Sequence, residues 1–471
     1  MCGIVGIIAE DRVIDSVYPA LVALQHRGQD TTGAVTYNNT FHLKKGQGLV
    51  TSVFNLKNIT RLEGNIGIGH VRYPTIGPGG VEDAQPFIIY MPYGIALAHN
   101  GNLVNYHDLK KEIVEREHRY INSNCDAEVI LNVLSVELTK MDLKNFNAQI
   151  FFDALTGLYR RLVGSFAVVG IIAQKGLFAF RDKNGIKPLV YGRHKTGYVF
   201  ASESVALDML GCSEIIDVAP GEAIFIDLDR NFHKKQICKG RKATCIFEYV
   251  YFARPDSIID GIGVYEARLR LGEELGKECK KQGIKPDVVI PVPDTARGSA
   301  QMVAEVLEVK HREGLIKNRY IYRTFIMSTQ AERIEAVRMK LNPIKSEIKN
   351  KKVLLIDDSI VRGNTSKEII ELVRSAGAKK VFYGVYSPPL KHPCVYGIDM
   401  QTRGEFIARN KSVSTIKAKV GADALIYQTV DGLIKGVGSG TRGFCTACFT
   451  GVYPTEICAN AFKKIEKDRI R

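Results

Sequence analysis

Apolar positions run along this chain in two rhythms, and the change falls near its middle. In the first half, CGIVGIIA (2–9), SFAVVGIIA (165–173), GLFAFRD (176–182) and VAPGEAIFID (218–227) are strand-length apolar runs parted by Gly- and Asn-rich turns. Runs of that kind predict two stacked sheets covered by helices. In the second half strands and helices alternate. VYEARLRLGEELGKE (264–278) has helical spacing, and DVVIPVPDTARGSAQMVAEVLE (287–308) reads as a strand ending at Val292, then a loop, then a helix. The clearest unit is KKVLLIDDSIVRGNTSK (351–367). Its apolar run, 353–356, fits a strand buried on both faces, and Asp357 and Asp358 end it. After a polar loop, Ile369, Leu372, Val373 and Ala376 recur at helical spacing until Gly377 stops the helix. Thr365 and Glu368 are spaced as a capping box. The pattern therefore predicts a two-domain protein, α+β over residues 1–235 and α/β over 236–471, with the polar stretch 231–242 as linker.

Composition narrows the class. At 471 residues and 45% hydrophobic content the chain has ample material for packed cores. It contains no run of eighteen apolar residues, and MCGIVGIIAEDR lacks the basic region and cleavage site of a signal peptide, so a cytoplasmic protein without a membrane partner is expected. Ten cysteines in a reducing compartment point to thiols, metal ligands or a nucleophile before a disulfide frame. A formal charge of +15 raises the question of nucleic acid. The basic residues are scattered in short runs without interleaved aromatics, however, and no nucleic-acid partner is expected.

Candidate chemistry concentrates in four places. The loop after Asp357 and Asp358 aims backbone N–H groups and a helix N-terminus at one spot, which suits a phosphate monoester, while the paired carboxylates can bind vicinal hydroxyls or Mg²⁺. GxxxxGK[ST] is absent and no GxGxxG follows either of these strands, so the ligand implied is a phosphorylated sugar rather than a P-loop nucleotide or a dinucleotide. Asp294 and Thr295 fall at the carboxyl end of a second strand, where open α/β sheets bind ligands. At the N-terminus, removal of Met1 exposes Cys2 with a free α-amine, whose pKa of roughly 7.7–8.0 lets it take the thiol proton near neutrality. Arg72 in HVRYPT offers a fork for a carboxylate, Asn100 and Gly101 in AHNGNL offer oxyanion donors, and Asp126 in NSNCDAEV offers a partner for an ammonium. Together these describe hydrolysis of the side-chain amide of a free amino acid, and glutamine fits. Finally, Cys445 and Cys448 form a CxxC. Cys245, Cys394 and Cys458 are the candidates to complete a four-thiolate site, and spacing does not choose among them or between zinc and iron.

These motifs carry resemblances. CGIVGI, HRGQD (26–30), HVRYPT and HNGNL resemble the class II, N-terminal-nucleophile (Ntn) glutamine amidotransferases, which implies an αββα sandwich with Cys2 as nucleophile, Asn100 and Gly101 as oxyanion hole, and Arg72 and Asp126 holding glutamine. DDSIVRGNTS resembles the phosphoribosyl pyrophosphate (PRPP) motif of type I phosphoribosyltransferases. That implies PRPP contacts from Asp294, Thr295, Asp357, Asp358, Ser359, Arg362, Gly363, Asn364 and Thr365, with Thr295, Asp357 and Asp358 around Mg²⁺. Residues 322–343 resemble that family's lid at Gln330, Arg333, Val337, Arg338 and Lys340, with Ser328 where Pro is usual. The two halves in this order resemble the amidophosphoribosyltransferases of purine synthesis. The iron–sulfur members of that family imply a [4Fe–4S] cluster on Cys245, Cys394, Cys445 and Cys448, purine mononucleotide inhibitors and a homotetramer. Another class II amidotransferase predicts a sugar-isomerase second half without DDSIVRG. A PRPP-sensing regulator has no use for Cys2, Arg72 and Asn100.

Overall fold

The computed structural model describes residues 2–73, 80–318, 340–399, 402–438 and 443–457, with 462 and 464. The first half is the expected sandwich. A seven-stranded antiparallel sheet carries Gly3–Ile8 at its centre, between Gly197–Ala201 and Ile66–Arg72. A six-stranded antiparallel sheet carries Ile95–Leu103 beside Gly164–Ile172. Their facing sides interdigitate Ile4, Ile8, Ile68, Ala98, Val169 and Phe200, all at most 1% exposed. Helices close both outer faces: Ile14–Ala23 packs on the first sheet, and Asp126–Thr139 with Ala148–Arg161 on the second. The order is helix, sheet, sheet, helix.

The stretch read as a linker is partly a strand. Phe232–Gln236 pairs with Glu222–Asp227 at the edge of the six-stranded sheet. Its Lys-rich sequence is what an edge strand tolerates, because one side of its ladder faces water.

The second half is a five-stranded parallel sheet, ordered Lys310–His311, Val288–Pro291, Lys352–Asp357, Lys380–Val385, Ala424–Tyr427. Helices Val264–Lys281 and Arg297–Leu307 pack against each other over Leu271, Leu275, Ala300 and Val303. The helix after the PRPP-like loop spans Asn364–Ser375. Its N-cap is Gly363 at φ +84, with no side-chain cap, so Thr365 lies inside the first turn and the expected capping box does not form. Only glycine reaches that φ readily, and a Cβ there would meet Ile407 Cδ1 at 2.4 Å. No described helix is long and apolar enough to cross a membrane.

Candidate functional site

Cys2 precedes the central strand of the first sheet, and Asn100 and Gly101 lie on the facing sheet, so the sandwich itself brings them together. Asn100 Oδ1 accepts a hydrogen bond from Cys2 N at 3.2 Å. That bond fixes which way the amide points: Asn100 Nδ2 is buried and finds no partner among the described residues. A buried donor left open costs about 1–3 kcal/mol, so its orientation calls for an acceptor supplied by a ligand. Arg72 ends its strand and reaches Asp83 at 3.5 Å. Asp126 opens its helix, accepts from Leu103 N at 2.9 Å and faces His99 Nδ1 at 3.5 Å. Desolvation alone would raise the Asp126 carboxyl, but His99, the Leu103 N–H and Arg72 outweigh it and hold the group below its ordinary value. Cys2, Arg72, Gly101, Cys125 and Asp126 line one narrow pocket. Burial pushes the Cys125 thiol well up, which keeps it neutral beside Cys2. Gln85 was not legible in advance; its Oε1 accepts from His99 N at 2.7 Å and so steadies the strand that bears Asn100.

A second unforeseen element ties this pocket to the other half. Arg27 Nε donates to Cys2 O at 2.9 Å, while its Nη atoms engage Glu203 and Glu248, all three side chains being fully buried. Desolvation opposes the Arg27 charge, yet the two carboxylates raise its pKa further above the ordinary value. Glu203 is correspondingly held far down: burial works against its charge, and His26 and Arg27 overcome it. Glu248 belongs to the π-helical turn Glu248–Phe252, whose flanking carbonyls, Tyr249, Tyr251 and Ala253, all accept from Arg268. One signal was available, since Glu248 is the only charge in the apolar run CIFEYVYF and a buried charge requires a partner.

In the second half, Val288–Pro291 and Lys352–Asp357 are parallel neighbours, so the loops bearing Asp294–Thr295 and Asp357–Asp358 emerge side by side. Asp357 accepts from Tyr383 Oη and from Asp358 N, and Ser359 Oγ donates to Asp358 at 2.6 Å. Desolvation raises both carboxyls, and Asp357 raises Asp358 further. Two acids held so close favour a cation or a shared hydrogen-bond donor. Gly363 and the uncapped N–H groups of Asn364 and Thr365 complete a cradle for an anion. Arg362 instead turns to Glu405, and Asp294 meets Arg297 and Lys317. Gln330, Arg333, Val337 and Arg338 lie outside the described residues, as does Cys458. Lys340 is half-buried beside them, its carbonyl accepting from Asn318 N. A cavity of about 360 Å³ opens between the halves, lined by Arg27 and Tyr73 on one side and by Arg268, Asp294 and Thr295 on the other.

The candidate cluster cysteines do gather. Cys245 and Cys445 are paired residues of a two-stranded parallel ladder, and Cys448 stands one turn beyond. The Cys394 segment docks through Lys391 N and His392 N, both donating to Cys448 O at 3.0 Å. All four are buried. Burial raises the thiols of Cys245, Cys445 and Cys448, and their mutual proximity, with that of Cys394, raises them more; Lys187 works in the opposite sense on Cys245 and Cys445. Among the described residues, no three His, Cys, Asp or Glu side chains converge on a point suited to a single metal ion.

With this geometry in hand, the likenesses to known proteins are direct. Residues 76–209 match a glutamine amidotransferase domain and residues 262–386 a phosphoribosyl transferase domain. The amidophosphoribosyltransferase of Pasteurella multocida is 47% identical, over 97% of this chain and 93% of its own. That of Escherichia coli is 46% identical over the same shares of the two chains, 97% and 93%. A solved glutamine PRPP amidotransferase from Bacillus subtilis, complexed with ADP and GMP, superimposes with a TM-score of 0.87 at 39% identity, covering 98% of each chain.

Proposed function

Because this chain belongs to the amidophosphoribosyltransferases, glutamine-dependent phosphoribosyltransferases of purine biosynthesis, we propose that its two sites divide one reaction between them. Cys2 Sγ attacks the side-chain amide carbon of glutamine, its proton passing to the α-amine freed by loss of Met1. The oxyanion is received by Asn100 Nδ2 and Gly101 N, with Arg72 on the substrate carboxylate and Asp126 on its ammonium. Ammonia leaves, and water hydrolyses the glutamyl thioester. The cavity between Arg27 and Thr295 supports passage of ammonia to the second site, since Arg27, which holds Cys2 O, lines it together with Asp294 and Thr295. There ammonia attacks C1 of the ribose of PRPP and pyrophosphate departs, giving 5-phosphoribosylamine. The Asn364–Ser375 helix start holds the 5-phosphate, Asp358 and Asp357 the ribose hydroxyls, and Asp294 and Thr295 the pyrophosphate loop. Asp357, Asp358 and Thr295 are the residues to hold Mg²⁺, and the raised pKa of the paired acids fits a site completed by a cation. Mg²⁺ supplies neutralisation of the departing pyrophosphate charge.

The observation that carries this reading is the Asn100 amide, one end taken by Cys2 N and the other buried and open. Its test is pyrophosphate release from PRPP with glutamine and, separately, with ammonia. Cys2→Ala is expected to abolish the first and spare the second, and a mutant still active with glutamine overturns the assignment.

The four buried cysteines on adjoining segments, Cys245, Cys394, Cys445 and Cys448, also support a [4Fe–4S] cluster, whose ligands bind separate irons and so need not converge on one point. The desolvated thiols of Cys245, Cys445 and Cys448 ionise poorly alone, and a cationic core would reverse that preference. Cys394→Ser is expected to lose iron and visible absorbance, and Cys458→Ser to keep both. Stoichiometric zinc in anaerobically purified protein refutes the cluster. The nucleotides bound by the Bacillus relative support purine mononucleotide inhibition here.

A further inference from the structure

The strand that bears the oxyanion donors is held from both sides, and one of those sides belongs to the second half of the chain. A Cβ on Gly397 would lie 2.5 Å from Gly101 O, 2.8 Å from Gly101 C and 3.2 Å from Gly101 Cα. The two glycines therefore meet backbone to backbone, with no room for a side chain. A Cβ on Gly101 itself would lie 2.1 Å from Ser165 O and 2.8 Å from His99 Nε2. The Gly397 loop is pinned in that position by its carbonyls: Val395 O accepts from Asn102 Nδ2 at 2.9 Å, and Tyr396 O accepts from Ser165 Oγ at 2.9 Å. Ser165 Oγ in turn accepts from Asn102 N at 3.3 Å, the amide next to Gly101. Gly397 sits at φ +91, a conformation that suits glycine.

Resting on the oxyanion reading of Asn100 and Gly101, we infer that Gly397 is a positioning residue for glutamine hydrolysis: the second half of the chain abuts the Cα and carbonyl of Gly101 and, by holding that residue's backbone torsions, sets the direction of the N–H in the preceding Asn100–Gly101 peptide. The physical reason is geometric. A glycine whose Cα and carbonyl are hemmed in by Ser165 and Gly397 has little freedom about φ and ψ, so the Asn100–Gly101 peptide joined to it is held as well, and oxyanion stabilisation depends on donors already placed where charge develops. A displacement of about 1 Å at such a site costs on the order of a hundredfold in rate. Gly397→Ala inserts a methyl group closer to Gly101 O than any real contact permits, so the contact between the Gly397 loop and the Gly101 backbone must shift. Ser165→Ala removes one of the pins and adds no atoms.

The test uses the full-length enzyme and three readouts: steady-state glutaminase kinetics, inhibition by the γ-aldehyde analogue of glutamine, which adds to the thiol to form a tetrahedral oxyanion, and alkylation of Cys2 by iodoacetamide, which forms none. For Gly397→Ala the expected result is a ten- to hundredfold fall in kcat, a KM for glutamine within about twofold of the parent, a parallel loss of aldehyde affinity, and unchanged alkylation and ammonia-dependent synthesis. Ser165→Ala is expected to follow the same pattern at several-fold, and it decides the matter where Gly397→Ala does not fold. Asn100→Ala separates the two ideas. If it leaves aldehyde affinity intact, the oxyanion reading itself fails. If it weakens the aldehyde while Gly397→Ala and Ser165→Ala do not, the oxyanion reading stands and the positioning role of Gly397 is overturned.

Discussion

Replacing Asn100 by Ala should separate activity from stability, and the sizes of both effects can be worked from the structure. The side chain makes one hydrogen bond, from Cys2 N to Oδ1, and leaves Nδ2 buried without a described partner. Losing the bond costs about 1 kcal/mol, and removing the open donor returns about 1–3 kcal/mol. Because the truncated side chain borders a substrate pocket, water can fill the space left. Net stability should therefore lie between no change and a gain of about 2 kcal/mol, a shift of a few degrees in Tm at most for a chain of this size. Catalysis should suffer far more. One oxyanion donor is worth about 10²–10³ in kcat, or about 2.7–4 kcal/mol. The assay is glutaminase turnover measured beside ammonia-dependent pyrophosphate release and thermal denaturation on the same preparation. Glutaminase kcat within tenfold of the parent refutes the reasoning, as does an equal fall with ammonia, which would mean that Asn100 acts through the fold.

Asp358→Asn keeps volume and removes charge, so the fold should persist while synthesis falls at least a hundredfold with glutamine and ammonia alike; normal ammonia-dependent rates exclude its role in PRPP binding. Arg72→Lys loses the two-pronged fork and should raise the KM for glutamine tenfold or more with little change in ammonia-dependent rate, as substrate titration will show. Because the Glu203 carboxyl is held below its ordinary value of 4.5, its stabilising contribution is complete above that pH and drains away as pH falls towards the folded value. Denaturant titrations from pH 5 down to pH 3 should therefore show a steeper loss of stability for the parent than for Glu203→Gln, by up to about 1.4 kcal/mol per pH unit.

Much of the fold was legible because burial writes itself into local sequence. Residues 353–356 form a central parallel strand covered on both faces, and such strands are apolar without alternation. Two local readings failed for physical reasons. Thr365 and Glu368 have capping-box spacing, but Gly363 turns the chain two positions earlier by adopting positive φ, which no spacing rule records. Residues 232–236 form a strand although their polarity suggested a linker, because an edge strand needs only one satisfied neighbour. Cys2, Asn100 and Asp126 each stand at a strand or helix terminus or in a short polar interruption, where chemistry is visible in sequence. Arg27 and Glu248 were not legible as a pair. They stand 221 positions apart, and only the packed halves bring them together.

That pair has a consequence for how the protein can be divided. Arg27, Glu203 and Glu248 form a buried knot in which Glu248 meets its counter-charge, and Arg27 its second carboxylate, only when both halves are present. Cut between the halves, and the first keeps a buried arginine with one carboxylate fewer, while the second bares an acid set in an aromatic turn. Removing one partner of a buried pair typically costs about 3–5 kcal/mol, a large part of what holds a domain folded. The two chemistries are thus bound into a single inheritable unit: a gene fission that parted glutamine hydrolysis from ribosyl transfer would have to rebuild both cut surfaces before either fragment could stand alone.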